Sequence, residues 1–221
     1  WNTMNQPIEF EKWNLTGLSH GAAGIAHALM ELHATTGDRQ YLDAGSDGFR
    51  YEDSWYNASE ENWPDFRRRY SDPDFDVAAP PYQVAWCHGA PGIALARMRA
   101  FEISEATSHR TFAEAACRTS LSFSVRSANT GTANYSLCHG LLGNLEPFID
   151  PPEYLQGTTS QETLHRIATS AIHHHDRRFT PWPCGLVTGE ETPTLMLGLA
   201  GIGYFYLRLA APDSVPSILL I

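Results

Sequence analysis

A short glycine turn, Gly-x-x-Gly, occurs four times in this chain of 221 residues. The copies begin at Gly21, Gly89, Gly140 and Gly198, so the intervals between them are 68, 51 and 58 residues. Glycine removes side-chain bulk where two backbone segments, or a backbone and a ligand, approach each other closely. A unit of this length that ends in a glycine turn is typical of an array of helical hairpins.

Apolar residues follow the turns at helical spacing, which predicts that each turn leads into the N-terminus of a helix. The predicted apolar stripes are Ile25, Ala28, Leu29 and Leu32; Ile93, Leu95, Ala96 and Met98; and Ile202, Phe205, Tyr206 and Leu209. Strand signals are weak, because little of the sequence alternates apolar and polar residues. With 43% apolar and 18% charged residues, the composition predicts one mainly helical globular domain.

Composition also excludes several classes of partner. The formal charge is −10, and the one basic run, at 67–69, is interpreted as a solvated or locally paired turn, so we expect no nucleic-acid partner. No stretch approaches the ~20 apolar residues of a membrane span, and the terminal run 215–221 is expected to dock into the core. Four cysteines without a signal peptide favour a reducing compartment, hence the cytoplasm.

Three segments rich in turn-forming residues predict loops. The segment 71–82 predicts a disordered loop, and the segments 150–157 and 180–192 predict surface loops. The chain begins with Trp1 rather than Met, so we expect it to be part of a longer polypeptide.

Two of the glycine turns are preceded by a Cys-His dipeptide, in Cys87-His88-Gly89 and Cys138-His139-Gly140. With four cysteines and ten histidines in the chain, chance predicts only ~0.2 such dipeptides. A soft thiolate beside an imidazole, in a glycine-rich turn, is typical of a zinc site. The sequence therefore predicts zinc–thiolate chemistry.

With these motifs, the chain resembles the lanthionine synthetase C-like cyclases, most closely the C-terminal cyclase domain of class II (LanM-type) lanthipeptide synthetases. The resemblance covers nearly the whole chain. The segments that carry it are Gly17-Leu18-Ser19-His20-Gly21, Tyr51-Glu52, Asn62-Trp63-Pro64-Asp65-Phe66-Arg67, Trp86-Cys87-His88-Gly89-Ala90-Pro91-Gly92-Ile93, Cys138-His139-Gly140 and residues 195–204.

The resemblance implies an all-α fold, an α/α toroid in which an inner ring of helices lies inside an outer ring. Members of the family have seven hairpins, so residues 1–221 would form the C-terminal part of the barrel. The N-terminal repeats and a dehydratase domain would then lie outside this chain. The family's single-domain members carry an arginine shortly before the Trp-Cys motif, and the segment 81–86 has no positive charge.

The resemblance also implies the chemistry. Cys87, Cys138 and His139 would bind Zn²⁺ and leave a fourth position open, as in catalytic zinc sites. The substrate would be a dehydrated precursor peptide, whose cysteine thiolate adds to a dehydroalanine or dehydrobutyrine and closes a lanthionine or methyllanthionine ring. Only about 3% of a free cysteine is thiolate at neutral pH, whereas a metal-coordinated thiol is deprotonated. His20 occupies the position of the family's catalytic histidine and would protonate the α-carbon.

Other cysteines and histidines are weaker candidates. His88 would contact the substrate, orient a metal ligand, or support the site residues without itself touching the metal. Cys117, Cys184 and His27 are interpreted as packing residues, and the run 173–175 as a solvated helix end, because consecutive helical residues face different directions.

Two other functions stay open from the sequence. One is a non-catalytic zinc-dependent module that binds glutathione, another thiol or a cysteine peptide. The other is a zinc hydrolase, for which Glu146 is the nearest carboxylate base, although Pro147 beside it favours a role at a helix end. His20 separates the first from the cyclase, because binding needs the zinc ligands alone whereas cyclisation also needs a proton donor.

Overall fold

The computed structural model describes residues 14–67, 74–76, 78–176 and 180–220. The described chain is helical, and its β-pairing is limited to isolated bridges such as Pro64 with Tyr82, so the predicted all-α class is confirmed. The α-helices are α1 (Ala22–Thr36), α2 (Arg39–Asp53), α3 (Ala90–Ser104), α4 (Thr107–Thr130), α5 (Leu141–Leu145), α6 (Thr158–His175) and α7 (Leu199–Ala210). Short 3₁₀-helices span Glu146–Phe148, Glu153–Leu155 and Ile218–Leu220.

The chain divides into two compact units, Trp1–Ala116 and Cys117–Ile221, with the boundary inside α4. The first unit contains α1, α2 and α3, and the second contains α5, α6 and α7. No helix in the described ranges is both long enough and apolar enough to cross a membrane.

All four glycine turns lead into helix N-termini, as predicted. The first glycine of each turn is the N-cap residue of α1, α3, α5 or α7. At the second glycine the preceding loop lies directly over the helix. A Cβ there would come within 1.8–2.0 Å of the carbonyl oxygen six residues earlier, at Gly24, Gly92, Gly143 and Gly201. Such a distance is impossible for a real side chain, so this packing requires glycine at the second position.

The loop before the helix also closes by hydrogen bonding. The first helical N–H donates to the carbonyl seven residues earlier in α1, α5 and α7, at 2.9, 2.9 and 2.8 Å. One otherwise unpaired N–H of each helix N-terminus is thereby satisfied by backbone instead of by a side-chain cap. Residues 15–22, 134–141 and 192–199 are therefore closed loops of eight residues.

In the first unit, α1 packs against α2 and α3. Gly37 ends α1 in the left-handed region, with φ of 73°, and its N–H donates to the carbonyl of His33. Asp38 then caps α2 by accepting a hydrogen bond from the N–H of Gln40 at 3.0 Å. Because only two residues join the helices, α1 and α2 form a tight antiparallel hairpin.

The buried face of α1 differs from the predicted stripe. Ala28 and Leu32 are exposed, and the buried residues are Ala22, Ala23, Ala26, His27 and Met30. The reason lies in α2, where a Cβ on Gly45 would be 3.0 Å from the carbonyl oxygen of Ala26. Small residues thus bring the two helices together. In α3 the whole predicted stripe is buried, and in α7 Ile202 and Phe205 are.

A fully buried arginine in α3 connects this helix to α2 and to the start of α4. Arg97 pairs with Asp53 and donates to the carbonyl of Phe49 in α2, at 3.2 Å. Its other terminal nitrogen lies 3.1 Å from Nδ1 of His109 in α4, and its guanidinium stacks 4.2 Å from the Phe49 ring centroid. The pKa of His109 is lowered to about 4 by burial and by the Arg97 charge. His109 is therefore neutral and accepts this hydrogen bond.

In the second unit, the equivalent anchor is an ion pair between Glu146 and Arg208. The Arg208 Nε donates to Glu146 Oε1 at 2.6 Å, and the Ser217 hydroxyl donates to the same oxygen at 2.8 Å. Arg208 also donates to the carbonyl of Val215, and Leu219 is buried. The terminal run therefore docks as predicted, with Ile221 outside the described residues.

The predicted loops are only partly irregular. Residues 71–73 and 77 lie outside the described part of the chain, but Pro81 at the end of that segment accepts a hydrogen bond from the N–H of Asp65 at 2.8 Å. The segment 150–157 contains the 3₁₀-helix Glu153–Leu155, and 180–192 has no helix.

Candidate functional site

The turn that carries His20, residues 17–21 and here called the histidine turn, lies on the first Cys-His motif, Cys87-His88, within the first unit. The N–H of Ser19 donates to the carbonyl of Cys87 at 3.1 Å. Gly17 packs on His88, since a Cβ at residue 17 would lie 3.2 Å from both Cα and Nδ1 of His88. Gly17 also has φ of +91°, a conformation that favours glycine. The structure thus brings His20 next to the predicted metal ligand Cys87, while its own side chain is exposed.

Glu52 in α2 anchors the histidine turn through a buried hydrogen bond. Its side chain is fully buried, and Oε1 accepts a hydrogen bond from the N–H of Gly17 at 2.7 Å. Burial raises the pKa of the Glu52 carboxyl to about 7, although the nearby Arg97 charge and the Gly17 hydrogen bond act in the opposite direction. Tyr51 beside it donates to the carbonyl of Asn14 at 2.6 Å. The Tyr-Glu pair in the sequence is thereby explained as an anchor for the histidine turn.

The Asn-Trp-Pro-Asp segment forms a second anchor, as a capped turn around a buried tryptophan. Trp63 is 1% exposed, and its Nε1 donates to the carbonyl of Glu52 at 3.0 Å. Asn62 accepts from the N–H of Trp63 and donates to the carbonyl of Gln83, both at 2.9 Å. The Thr16 hydroxyl donates to the carbonyl of Pro64 at 2.6 Å. This segment therefore connects the histidine turn to the residues that precede Cys87.

His88 is buried beside the exposed ring of His20. The two ring centroids are 5.8 Å apart, with the ring planes inclined by 37°. The pKa of His88 is lowered to about 4, chiefly by burial and then by the positive charge of Arg67, while Asp65 and a hydrogen bond to the backbone of Thr16 act against this. His88 is therefore a neutral imidazole at physiological pH.

Asp65 and Arg67 supply a charged pair next to His88. Arg67 Nη2 lies 2.6 Å from Asp65 Oδ2, and Nε lies 2.9 Å from Oδ1. Asp65 is 5% exposed; burial opposes ionisation of this carboxyl, but its hydrogen bonds with Arg67 outweigh burial and lower the pKa. For Arg67 the predicted local pairing is confirmed, whereas residues 68 and 69 lie outside the described residues. No feature of the sequence placed this pair beside His88.

In the second unit, the turn carrying Cys138 and His139 is tied to two neighbouring loops. The N–H of Cys138 donates to the carbonyl of Met196 at 2.9 Å, and the N–H of Gly185 donates to that of Leu197 at 2.7 Å. His139 is exposed, and its Nε2 lies 3.0 Å from the carbonyl oxygen of Gly185. A carbonyl only accepts, so Nε2 carries the proton and Nδ1 keeps its lone pair.

This arrangement fits a metal ligand. A histidine that binds a metal usually donates its second ring N–H to a carbonyl or carboxylate, which fixes the tautomer and the ring orientation. Gly185 performs this for His139, and a Cβ on Gly185 would lie 3.1 Å from His139 Cε1. This contact has no signal in the local sequence, because the two residues are 46 positions apart.

The cysteines are all thiols, with Cys87, Cys117 and Cys184 buried and Cys138 half-buried. Across the described ranges, no three side chains of His, Cys, Asp or Glu are grouped closely enough to hold a metal ion. Cys87 belongs to the first unit, and Cys138 and His139 belong to the second. The donor types of the three residues, two thiolates and an imidazole, suit zinc.

Comparison with known proteins identifies the family. The profile described as "Lanthionine synthetase C-like protein" matches residues 2–220. The chain belongs to the lanthionine synthetase C-like family. It is also 26% identical over 204 residues to the "Lacticin 481/lactococcin biosynthesis protein LcnDR2" of Lactococcus lactis subsp. lactis. That match covers 89% of this chain and 21% of the relative, so the chain spans about a fifth of the relative's length. The family assignment agrees with the helical secondary structure of each unit.

Within this lanthionine synthetase C-like chain, the remaining candidates have structural roles. Cys117 and Cys184 are 5% and 1% exposed, as expected for packing residues, and His27 is buried in α1. The run 173–175 ends α6 as predicted, but His175 is not solvated, since it packs between Tyr135 and Trp182 with ring centroids 5.1 and 4.8 Å away.

Proposed function

We propose that this chain is a lanthionine cyclase, which closes thioether rings in a dehydrated precursor peptide. The proposal is supported by membership of the family and by the relative named for lacticin 481 and lactococcin biosynthesis. The observation that carries it is the histidine turn, which holds the exposed His20 beside Cys87 through the 3.1 Å hydrogen bond between the N–H of Ser19 and the Cys87 carbonyl. A proton donor beside a thiolate ligand is what ring closure needs and what thiol binding alone does not.

Cys87, Cys138 and His139 are the proposed zinc ligands, with His139 using its Nδ1 atom. Bound there with one open position, Zn²⁺ would bind the substrate cysteine and supply it as a thiolate at neutral pH. The protein's own part is to orient the ligands. Gly185 does so for His139, and the Ser19 hydrogen bond does so for the backbone of Cys87.

His20 is the proposed proton donor of the reaction. When the substrate sulfur bonds to the β-carbon of a dehydro residue, the electrons of the carbon–carbon double bond move to the α-carbon. His20 then delivers a proton to that carbon. The proton lost from the thiol and the proton gained at carbon balance, so the peptide mass does not change. The product is a lanthionine or methyllanthionine.

The metal assignment is tested by zinc analysis of single variants. Cys87→Ala, Cys138→Ala and His139→Ala should each lose zinc, because three protein ligands leave no spare donor. Cys117→Ala is the matched control, since Cys117 is an equally buried thiol in α4, and it should keep its metal. Full zinc occupancy in the Cys87 and Cys138 variants would show the assignment to be wrong.

The catalytic assignment is tested with His20→Asn and a dehydrated precursor peptide. This variant should keep zinc and still bind the peptide, but it should close rings about 10²–10⁴-fold more slowly. Free thiols are alkylated after incubation and counted by mass, because cyclised cysteines do not take up the label. Wild-type rates in His20→Asn would remove His20 from the mechanism. A wild-type protein that binds the peptide and leaves every thiol reactive would instead favour the thiol-binding module.

The hydrolase alternative has no support in the geometry. Glu146, its candidate base, is 2% exposed and is engaged by both Arg208 and Ser217.

We further propose that the chain is the C-terminal part of a class II synthetase that also dehydrates its peptide, in keeping with the 21% coverage of the relative. The intact mass of the native gene product tests this, and a value several times 24.5 kDa is expected.

A further inference from the structure

The histidine turn holds the backbone of His20 more firmly than it holds the His20 ring. On one side, the N–H of Ser19 is bonded to Cys87, and on the other, Gly21 packs so closely that a Cβ would lie 2.1 Å from the carbonyl oxygen of Thr16. The imidazole itself is exposed and makes no hydrogen bond within the described ranges. A proton donor must present one nitrogen in a fixed direction, so the ring of His20 needs a partner for its other nitrogen.

His88 has the matching feature, a buried nitrogen without a hydrogen-bond partner. The residue is 2% exposed, and Nε2 is completely buried with no partner among the described residues. The other nitrogen is engaged: His88 hydrogen-bonds the backbone of Thr16, and Nδ1 is the atom that faces residues 16 and 17. Because the Thr16 carbonyl can only accept, the proton lies on Nδ1 and Nε2 carries a lone pair.

A buried acceptor without a partner is costly, at about 1–3 kcal/mol, so such an atom indicates a missing partner. The ring of His20 lies next to the His88 ring, with centroids 5.8 Å apart. Because His20 is exposed, rotation about its side-chain bonds can bring a ring N–H within the ~3 Å of a hydrogen bond. Asp65, buried and paired with Arg67, is close enough to His88 to interact with it electrostatically.

We propose that His88 is the positioning residue for His20: its Nε2 accepts a hydrogen bond from the His20 ring and directs the other His20 nitrogen toward the substrate. The chain of contacts runs from the Thr16 carbonyl through both nitrogens of His88 to His20. His88 touches neither the substrate nor the metal in this role. The inference rests on the proposed function, since it assigns His88 a task in the reaction of His20.

Two substitutions test the roles of the two ring nitrogens of His88 separately. In His88→Asn, the side-chain amide replaces the Nδ1 edge, so the bond to Thr16 is kept and the Nε2 acceptor is lost. In His88→Gln, the longer amide reaches the Nε2 position, and the bond to Thr16 is lost. A purely structural role favours asparagine, because it keeps the bond the folded chain already makes. The positioning role favours glutamine.

The experiment measures kcat and KM for ring closure in the full-length protein, with thiol alkylation as the readout. We expect His88→Asn to lower kcat about tenfold while KM and zinc content stay unchanged, and His88→Gln to be faster than His88→Asn. Asparagine faster than glutamine, or a raised KM with unchanged kcat, would overturn the proposal in favour of a structural role or a peptide contact. His165→Asn, a change to an exposed histidine in α6, is the control.

A double-mutant cycle gives the sharpest readout. If His88 acts only through His20, His88→Asn should change the residual rate of His20→Asn by less than about twofold, although it costs about tenfold in wild type. Equal effects in both backgrounds would overturn the proposal. Loss of zinc or of folded protein in both His88 variants would overturn it too, by showing that the residue holds the fold. A wild-type protein that closes no rings would instead refute the proposed function.

Discussion

Glu52→Gln should make the stability of the first unit respond differently to pH. The carboxyl is fully buried, and its pKa is raised from 4.5 to about 7, mainly by burial. Between these values the folded state holds the proton and the unfolded state does not. Stability therefore falls as pH rises from about 4.5 to about 7, and the loss is complete above the folded pKa.

The size of the effect follows from the shift. At about 1.4 kcal/mol per pKa unit, the full loss is about 3 kcal/mol, of which about 2–3 kcal/mol falls between pH 5 and pH 8. Glutamine keeps an oxygen that can accept the hydrogen bond from Gly17 and carries no charge at any pH. The advantage of Glu52→Gln over wild type should thus grow by about 2–3 kcal/mol over this range.

Urea unfolding of both proteins at pH 5, 6, 7 and 8 measures this difference. With a slope of about 2 kcal/mol per molar urea, the separation of the two midpoints should change by about 1 M. Glu60→Gln is the control, because Glu60 is an exposed carboxylate of the same unit, and its midpoints should follow wild type. If the curves for Glu52→Gln and wild type stayed parallel in pH, the buried ionisation of Glu52 would be refuted.

Two pairs of substitutions test the packing. Gly92→Ala should destabilise the protein by about 3 kcal/mol or more, because its Cβ would meet the Trp86 carbonyl oxygen at 2.0 Å. Its control, Gly203→Ala, has open space around the new Cβ and should stabilise the protein by up to about 1 kcal/mol. Equal midpoints of the two variants in thermal unfolding would contradict this. Arg97→Met should cost about 3 kcal/mol in urea unfolding, since it removes the buried donor of the half-buried Asp53 carboxylate and of the Phe49 carbonyl. Arg99→Met, at a side chain 37% exposed, should cost less than about 1 kcal/mol, and a similar loss in both variants would argue against the special role of Arg97.

The helix starts were predictable because their cause is local. Gly-x-x-Gly followed by an apolar stripe contains both the turn and the helix within about ten residues. The buried face of α1 was not predictable in the same way, because Gly45 of α2 decides which side of α1 is approached most closely. Arg97 had one signal, a charge inside the buried apolar run of α3, but its partners come from two other helices.

In the candidate site, too, local features were predictable from the sequence and contacts between distant residues were not. Motif spacing and family resemblance were enough to nominate His20, Cys87, Cys138 and His139 as candidates, and their roles remain proposals. What orients them comes from distant positions, such as Gly185 for His139 and Glu52 for the turn of His20. These contacts join residues 46 and 35 positions apart in the chain, so local sequence patterns contain no trace of them.

The eight-residue closed loops have a consequence for how such a chain can change. The loops before α1, α5 and α7 are each held to the start of their own helix by the hydrogen bond that spans seven positions and by the carbonyl oxygen packed against the second glycine. The stretch between one loop and the next contributes only a few anchoring residues to the loops, such as Glu52 and Pro64 for the histidine turn. Insertions and deletions there can lengthen or shorten the protein, as the unequal intervals of 68, 51 and 58 residues already do, while the residues carried by the loops keep their local geometry. Length can therefore be added between the turns at little cost to the structure of the loops themselves.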